Sequence, residues 1–183
     1  MSRKKIVCVS GSPRKGNSEY FVKALEERLI DAEYDTKTVF LSESIFQFCD
    51  GCLQCDETGV CHIDDGMNEI IDLIRQSSLL IFVTPARWAL LSAPLKNFID
   101  RLNPMAANEE LCGKNMIIVG IGQTKGEDAQ GIYKAVKSVK NFADDAGIET
   151  IKTVVIEGLL NSNDLQKSNS VQKYLDMVID SIG

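Results

Sequence analysis

A single histidine, His62, stands among 183 residues. It leaves a Ser-His-Asp relay or a histidine general base almost no material, which excludes hydrolysis of that kind. Basic residues are also short: 20 Lys and Arg face 26 Asp and Glu, for a net charge of −6, and no basic cluster follows Arg3-Lys4-Lys5. The electrostatic footprint of a nucleic-acid binder is therefore missing, and polyanions are not expected partners. No apolar stretch approaches the roughly 20 residues of a membrane span, and Ile6 to Val9 is too brief for a signal-peptide core. There is no internal repeat, low-complexity tract or linker, so one domain over residues 1–183 is the expectation, in a cytoplasmic protein. An apolar share of 44% with 25% charged residues is enough for an ordinary buried core.

Short runs that are nearly all apolar do occur: Ile6-Val9, Val39-Leu41, Leu79-Val83, Met116-Val119 and Val154-Ile156. Their lack of period-two alternation predicts strands covered on both faces, as in a parallel sheet. Helical spacing separates them, carried by Phe21, Val22, Leu25 and Leu29, by Met67, Ile70, Ile71 and Ile74, and by Leu95, Phe98, Ile99 and Leu102. Ile132, Ala135, Val136, Val139 and Phe142 mark a fourth helix, which Gly147 would cap, and Val171, Tyr174, Leu175, Val178 and Ile182 a fifth. Alternating strands and helices with right-handed crossovers predict an α/β three-layer sandwich: five parallel strands in the order 2-1-3-4-5, with helices on both faces. The connection 42–65 after strand two is far longer than the usual few residues, and such excess is commonly functional.

The loop after strand one, VCVSGSPRKGNSEY (residues 7–20), has the spacing of a triphosphate loop with its lysine missing. Gly11, four residues and Gly16 are followed by Asn17 where lysine would reach the outer phosphates. Main-chain N–H groups and a helix N-terminus converge there. Side-chain donors come from Ser10, Ser12, Asn17 and Ser18, while Gly11 and Gly16 permit close approach. Neutral donors suit one terminal phosphate, as in a mononucleotide such as FMN. Arg14 and Lys15 either face solvent or lean over it.

Within the long connection, CDGCLQCDETGVCHIDD places Cys49, Cys52, Cys55 and Cys61 at C-x2-C-x2-C-x5-C. Structural zinc sites favour two pairs with a longer insertion between them. Successive x2 spacing matches the start of a bacterial ferredoxin motif, with Cys61 available as fourth ligand of a [4Fe-4S] cluster. Zinc, a redox disulfide such as Cys52 with Cys55, and thiols without a partner remain open on these residues alone. Cys8 and Cys112 read as buried, inert thiols, His62 as a hydrogen-bonding or exposed group, and Asp64 and Asp65 as caps of the helix that follows.

The first loop, Thr84-Pro85-Ala86-Arg87-Trp88 and APLKNFIDR (Ala93 to Arg101) together resemble the flavodoxin-like NAD(P)H-dependent FMN reductases over essentially the whole chain. The cysteine spacing resembles their iron-sulfur flavoprotein branch. The resemblance implies phosphate on the first loop, the isoalloxazine ring against Pro85, Ala86, Arg87 and Trp88, and Gly122, Gln123 and Thr124 on its far side. It also implies a [4Fe-4S] cluster exchanging electrons with FMN, NAD(P)H or a ferredoxin-like donor as source, and a homo-oligomer. Where relatives commonly place an aromatic after Pro-x, this chain has Arg87 and then Trp88. Arg87 would either lie at the flavin N1/O2 edge, favouring added negative charge, or stand exposed; Trp88 would either border a planar ligand or pack in the core. The absence of an acid-base constellation suits flavin chemistry, in which the cofactor carries the electrons. The rival readings are a cluster-free flavin or quinone reductase, a flavodoxin-like carrier and a zinc-stapled phosphate-binding module.

Overall fold

The structure, a computed structural model, describes residues 3–183. Five strands, β1 (Lys5–Ser10), β2 (Asp35–Phe40), β3 (Leu79–Pro85), β4 (Asn115–Ile121) and β5 (Glu149–Ile156), form one parallel sheet in the order β2-β1-β3-β4-β5. The order is the expected one. The central strands carry unbroken apolar runs, Ile6–Val9, Leu79–Val83 and Met116–Val119, because successive side chains supply opposite layers. Val7, Val9, Leu80 and Phe82 face one core, while Ile6, Cys8, Leu79, Ile81 and Val83 face the other.

On the first face lie α3 (Met67–Gln76), α4 (Ala93–Asp100) and α6 (Gln130–Asp145), which bring Ile70, Ile71, Ile74, Leu95, Phe98, Val136 and Val139 to that core. Phe98 meets Phe82 edge-on at a centroid distance of 5.7 Å. The second face is covered by α1 (Asn17–Asp31) and α8 (Val171–Ile179), through Phe21, Val22, Leu25, Leu29, Val171, Leu175 and Val178. The crossover helices are thus split between the two faces, which completes the three layers.

Gly147 does end α6. With φ at 70° it lets its own N–H reach Asp144 O and that of Ile148 reach Ala143 O, the paired bonds of a Schellman motif. The edge strands depart from expectation. β2 begins at Asp35 rather than Val39, with Thr36 and Thr38 in the ladder, and both β2 and β5 are only partly covered. A strand paired on one side has no apolar run to announce it. Three short helices also escaped the periodicity, α2 (Gln54–Thr58), α5 (Asn103–Ala107) and α7 (Asp164–Lys167), being too short to show a stripe. Among the described residues, no helix is long and apolar enough to cross a membrane.

Candidate flavin cleft and cysteine cavity

The loops leaving β1, β3 and β4 lie side by side at the C-terminal edge of the sheet because hydrogen bonding continues past the strand ends. Gly11 N donates to Val83 O (2.8 Å), Ala86 N to Ile121 O (2.8 Å) and Gly122 N to Ile156 O (3.0 Å). Ser92 fastens two of them: its Oγ donates to Gly11 O, while its N–H donates to buried Thr84 Oγ1 at 3.0 Å. At Gly11 a Cβ would stand 2.8 Å from Leu95 Cβ and 3.1 Å from Val83 O, so only glycine fits between β3 and α4. Here a close approach, not a turn, demands the residue.

Around this edge opens a cleft of about 260 Å³, near the lower end of ligand cavities at roughly 300 Å³. It is bordered by Ser12, Arg14, Gly16, Asn17 and Ser18 from the first loop, Pro85 to Trp88 from the second, and Gly122, Gln123 and Thr124 from the third. Every residue expected at the coenzyme site lines it except Ser10, which ends β1 and is buried beneath the loop. The loop after β5, Leu159 to Ser162, forms a fourth wall that the sequence reading missed. Gln123 Nε2 ties to it through Leu160 O at 3.2 Å. No glycine or charge pattern announces that wall.

Helix α1 begins without a side-chain cap. Among the described residues, the N–H groups of Gly16, Asn17 and Ser18 meet no protein acceptor, so they are free for an anion. Asn17 contributes its main chain here, because its side chain donates to Asn161 O (2.7 Å) and accepts from Leu165 N (3.0 Å). Ser12 Oγ donates to Arg14 O at 2.7 Å, holding the loop closed. Lys15 turns away to Glu43 at 3.5 Å, whereas Arg14 lines the cleft with no ion pair among the described residues. An uncapped helix end with one free cation fits a phosphate monoester.

The second wall is strained. Arg87 and Leu90 exchange both main-chain hydrogen bonds, each 2.9 Å, around Trp88 (φ 50°) and Ala89 (φ 62°). Two positive φ angles define the kind of turn normally filled by Asn-Gly, and each non-glycine residue in it costs about 1–2 kcal/mol. Trp88 is 98% exposed at the rim of the cleft, so it is not a core residue; Arg87 is exposed too.

The connection 42–65 folds over the far end of α4, and its anchor is Arg101, only 1% exposed. Nη1 donates to Gln47 O (2.8 Å) and Asp65 Oδ2 (2.9 Å), Nη2 to Asp65 Oδ1 (3.0 Å) and Ile63 O (3.3 Å). One side chain thereby grips both ends of the cysteine segment. The Arg101 guanidinium hydrogen-bonded to Asp65 holds that carboxyl down at about 2, against the opposing effect of burial and helped by the N–H groups of Gln47 and Met67. Asp65 caps as expected by accepting from Met67 N, but the ion pair is its larger role. Burial works against the Arg101 charge, yet Asp65 and the neighbouring Cys61 thiol hold its proton above the usual guanidinium range. Asn97 adds a bond from Cys49 N (3.3 Å), and Asn103 Nδ2 donates to Cys55 Sγ (3.1 Å).

Cys49, Cys52, Cys55 and Cys61 all border one cavity of about 680 Å³, closed by α4, α5 and the second half of α6, with Leu53, Ile63, Ile99 and Phe142 as apolar wall. Among the described residues no three cysteine sulfurs lie within 4.8 Å of one another; the one compact trio of ligand atoms is Asp50, Cys52 and His62. His62 Nε2 lies 2.9 Å from Asp50 Oδ2, the hydrogen-bonding role expected of it. Four thiols spread round a roomy, part-apolar cavity fit a multi-iron core better than a single ion. Cys8 is fully buried, and burial pushes its thiol up. Cys112 is exposed, against expectation, because the turn before β4 stands outside both cores.

A flavodoxin-type sheet with an uncapped helix N-terminus and a cleft at its C-terminal edge is the frame of a flavin-binding α/β protein. The model of NADPH-dependent FMN reductases matches residues 4–146, and the chain belongs to that family, within its iron-sulfur flavoprotein branch. An iron-sulfur flavoprotein of Methanosarcina thermophila is 37% identical over 139 residues, covering 75% of this chain and 72% of that protein. One from Archaeoglobus fulgidus is 29% identical over 170 residues, covering 91% and 76%. Among solved structures, an apo NADH:FMN oxidoreductase superposes with a TM-score of 0.68 at 19% identity, covering 97% of this chain and 87% of its own. The protein is a flavin-dependent oxidoreductase of NAD(P)H and FMN.

Proposed function

We propose that the protein passes electrons between NAD(P)H, or a ferredoxin-like donor, and an acceptor by way of FMN in the cleft and a [4Fe-4S] cluster held by Cys49, Cys52, Cys55 and Cys61. The observation that carries this reading is that one cavity gathers all four cysteines yet brings no three of them to single-ion distance. Bound there, the pair of groups would supply a two-electron carrier beside a one-electron one.

The chain's own contribution is binding and orientation. Gly16, Asn17 and Ser18 present main-chain donors, and Arg14 a cation, to the phosphate. Pro85 to Trp88 and Gly122 to Thr124, which both line the cleft, would hold the ring between them. Two consecutive positive φ angles, at Trp88 and Ala89, support a ligand clamp, since strained turns persist where they serve binding. Asn103 directs Cys55 through its hydrogen bond to the sulfur.

The two cavities border different stretches of α6, with Ile132 at the cleft and Ser138 at the cysteines, so their nearest edges stand about 9 Å apart along that helix. Ile45, Phe48, Leu53 and Val60 around the cysteines are exposed, as is Trp88. Those observations support a homo-oligomer in which the cysteine loop of one subunit approaches the cleft of the next. Mixed oligomers should retain transfer when Cys52→Ser stands on one chain and a blocked cleft on the other; no gain over either parent variant would exclude the arrangement.

The test of the main reading is a visible spectrum with iron, acid-labile sulfide and zinc analysis of protein purified without oxygen. Four irons with four sulfides and one FMN per chain support it. Zinc without sulfide would favour instead a single ion at Asp50, Cys52 and His62, whose ligand atoms already lie together.

A further inference from the structure

A guanidinium offers five N–H donors. In Arg101 four are used, two on Asp65, one on Gln47 O and one on Ile63 O. The fifth, Nε–H, is buried without an acceptor among the described residues. The side chain that carries it borders the cysteine cavity and is one of the largest wholly buried groups of the molecule. Native proteins rarely leave a buried charged donor idle. Since the four Nη bonds fix the plane of the group, the remaining N–H has one direction available, and what that cavity holds is its natural acceptor.

We propose that Arg101 Nε–H donates to a sulfur of the cysteine site, Cys61 Sγ or the core it binds, and that this fixed cation makes the site easier to reduce. The proposal rests on the cluster reading above. Hydrogen bonds and charge at cluster sulfurs raise the reduction potential, because they stabilise the more negative state. Arg101 is a positioning and tuning residue: it touches the sulfur, while Asp65 behind it offsets part of its charge. The step affected is a one-electron reduction in which a mediator dye or dithionite supplies the electron. No bond breaks, and no proton is taken up because Arg101 stays charged.

The first measurement uses the unaltered holoprotein, labelled with 15N-arginine and reduced by dithionite. Hyperfine coupling between the reduced cluster and one arginine 15N with its exchangeable proton is expected, since among the described residues no other arginine borders the cavity. A loaded cluster without that coupling overturns the proposal and leaves the cluster reading standing. A protein that takes up no iron and sulfide overturns both.

Redox titrations then ask for the sign. Arg101→Gln should disfavour reduction at least tenfold, about 59 mV for one electron. Arg101→Lys should recover part of the loss, and Asp65→Asn, which removes the opposing charge, should shift the potential the other way. A purely structural anchor predicts poorer loading in all three with no opposed shifts, and that result would overturn the tuning role. Asp65→Asn against the parent decides the matter even when Arg101→Gln fails to load.

Discussion

The flavin cleft and the cysteine cavity are built by opposite means. The cleft is mostly main chain: three loops are held in register because the ladders of β1, β3 and β4 run on into Gly11, Ala86 and Gly122. The cysteine segment has no ladder, and a five-residue helix, α2, is its one regular element. It stays in place through side chains, above all the buried pair of Arg101 with Asp65. A site resting on a sheet tolerates side-chain change, while a site hung on one ion pair does not.

The sharpest way to break that contrast is to cut each region and see whether the other notices. Cys52→Ser should abolish iron and sulfide binding while leaving FMN stoichiometry near that of the parent, as measured by metal analysis and flavin released on denaturation. Loss of flavin as well would show that the two regions fold as one. Arg101→Met should cost about 3–5 kcal/mol in urea unfolding, because it strands the carboxylate of Asp65 against the protein; a cost under about 1 kcal/mol would demote the anchor to surface status.

Acid should separate the regions without mutation. The Asp65 carboxyl sits at about 2 when folded and near 3.9 when unfolded. Its stabilisation, roughly 2–3 kcal/mol, is full above about pH 4 and disappears as the pH falls through the folded value near 2. Proteolysis of the segment 42–65 should therefore accelerate below pH 4 before the sheet opens. Simultaneous loss of both would contradict a separately anchored loop.

Gly11→Ala is the matching test of the cleft. Its methyl would press on Leu95 and Val83 O, costing about 1–3 kcal/mol and weakening FMN binding by calorimetry. Gly51→Ala has free space around the new methyl and meets only an unfavourable φ of 72°, so about 1 kcal/mol is expected there. The smallest effect belongs to Trp88→Gly. It should raise the stability of the flavin-free protein by about 1 kcal/mol through relief of a positive φ while weakening FMN affinity, and unchanged affinity would remove Trp88 from the clamp.

Much of the fold was legible beforehand. The central strands were readable because burial on both faces leaves unbroken apolar runs, and α1, α3, α4, α6 and α8 because their stripes run over two or more turns. The start of β2 was hidden, since Thr36 and Thr38 sit in a half-covered edge strand. In the site, glycine spacing marked the first loop and cysteine spacing the four thiols, both local signals, while Pro85 to Trp88 and Gly122 to Thr124 came from the family resemblance. Leu159 to Ser162 carried no such signal and reaches the cleft only because β5 ends beside β4. The same holds for Cys112, exposed where it was expected to be buried.

The sequence alone determined the alternation of elements, the lysine-free glycine loop after β1 and the grouping of four cysteines in one short segment, because each is written in neighbours along the chain. Tertiary structure alone decided that Arg101, forty residues past the last of those cysteines, closes the segment with Asp65 and keeps one N–H free beside them. Burial and ion pairing depend on what the fold brings together, and no spacing along the chain encodes that meeting.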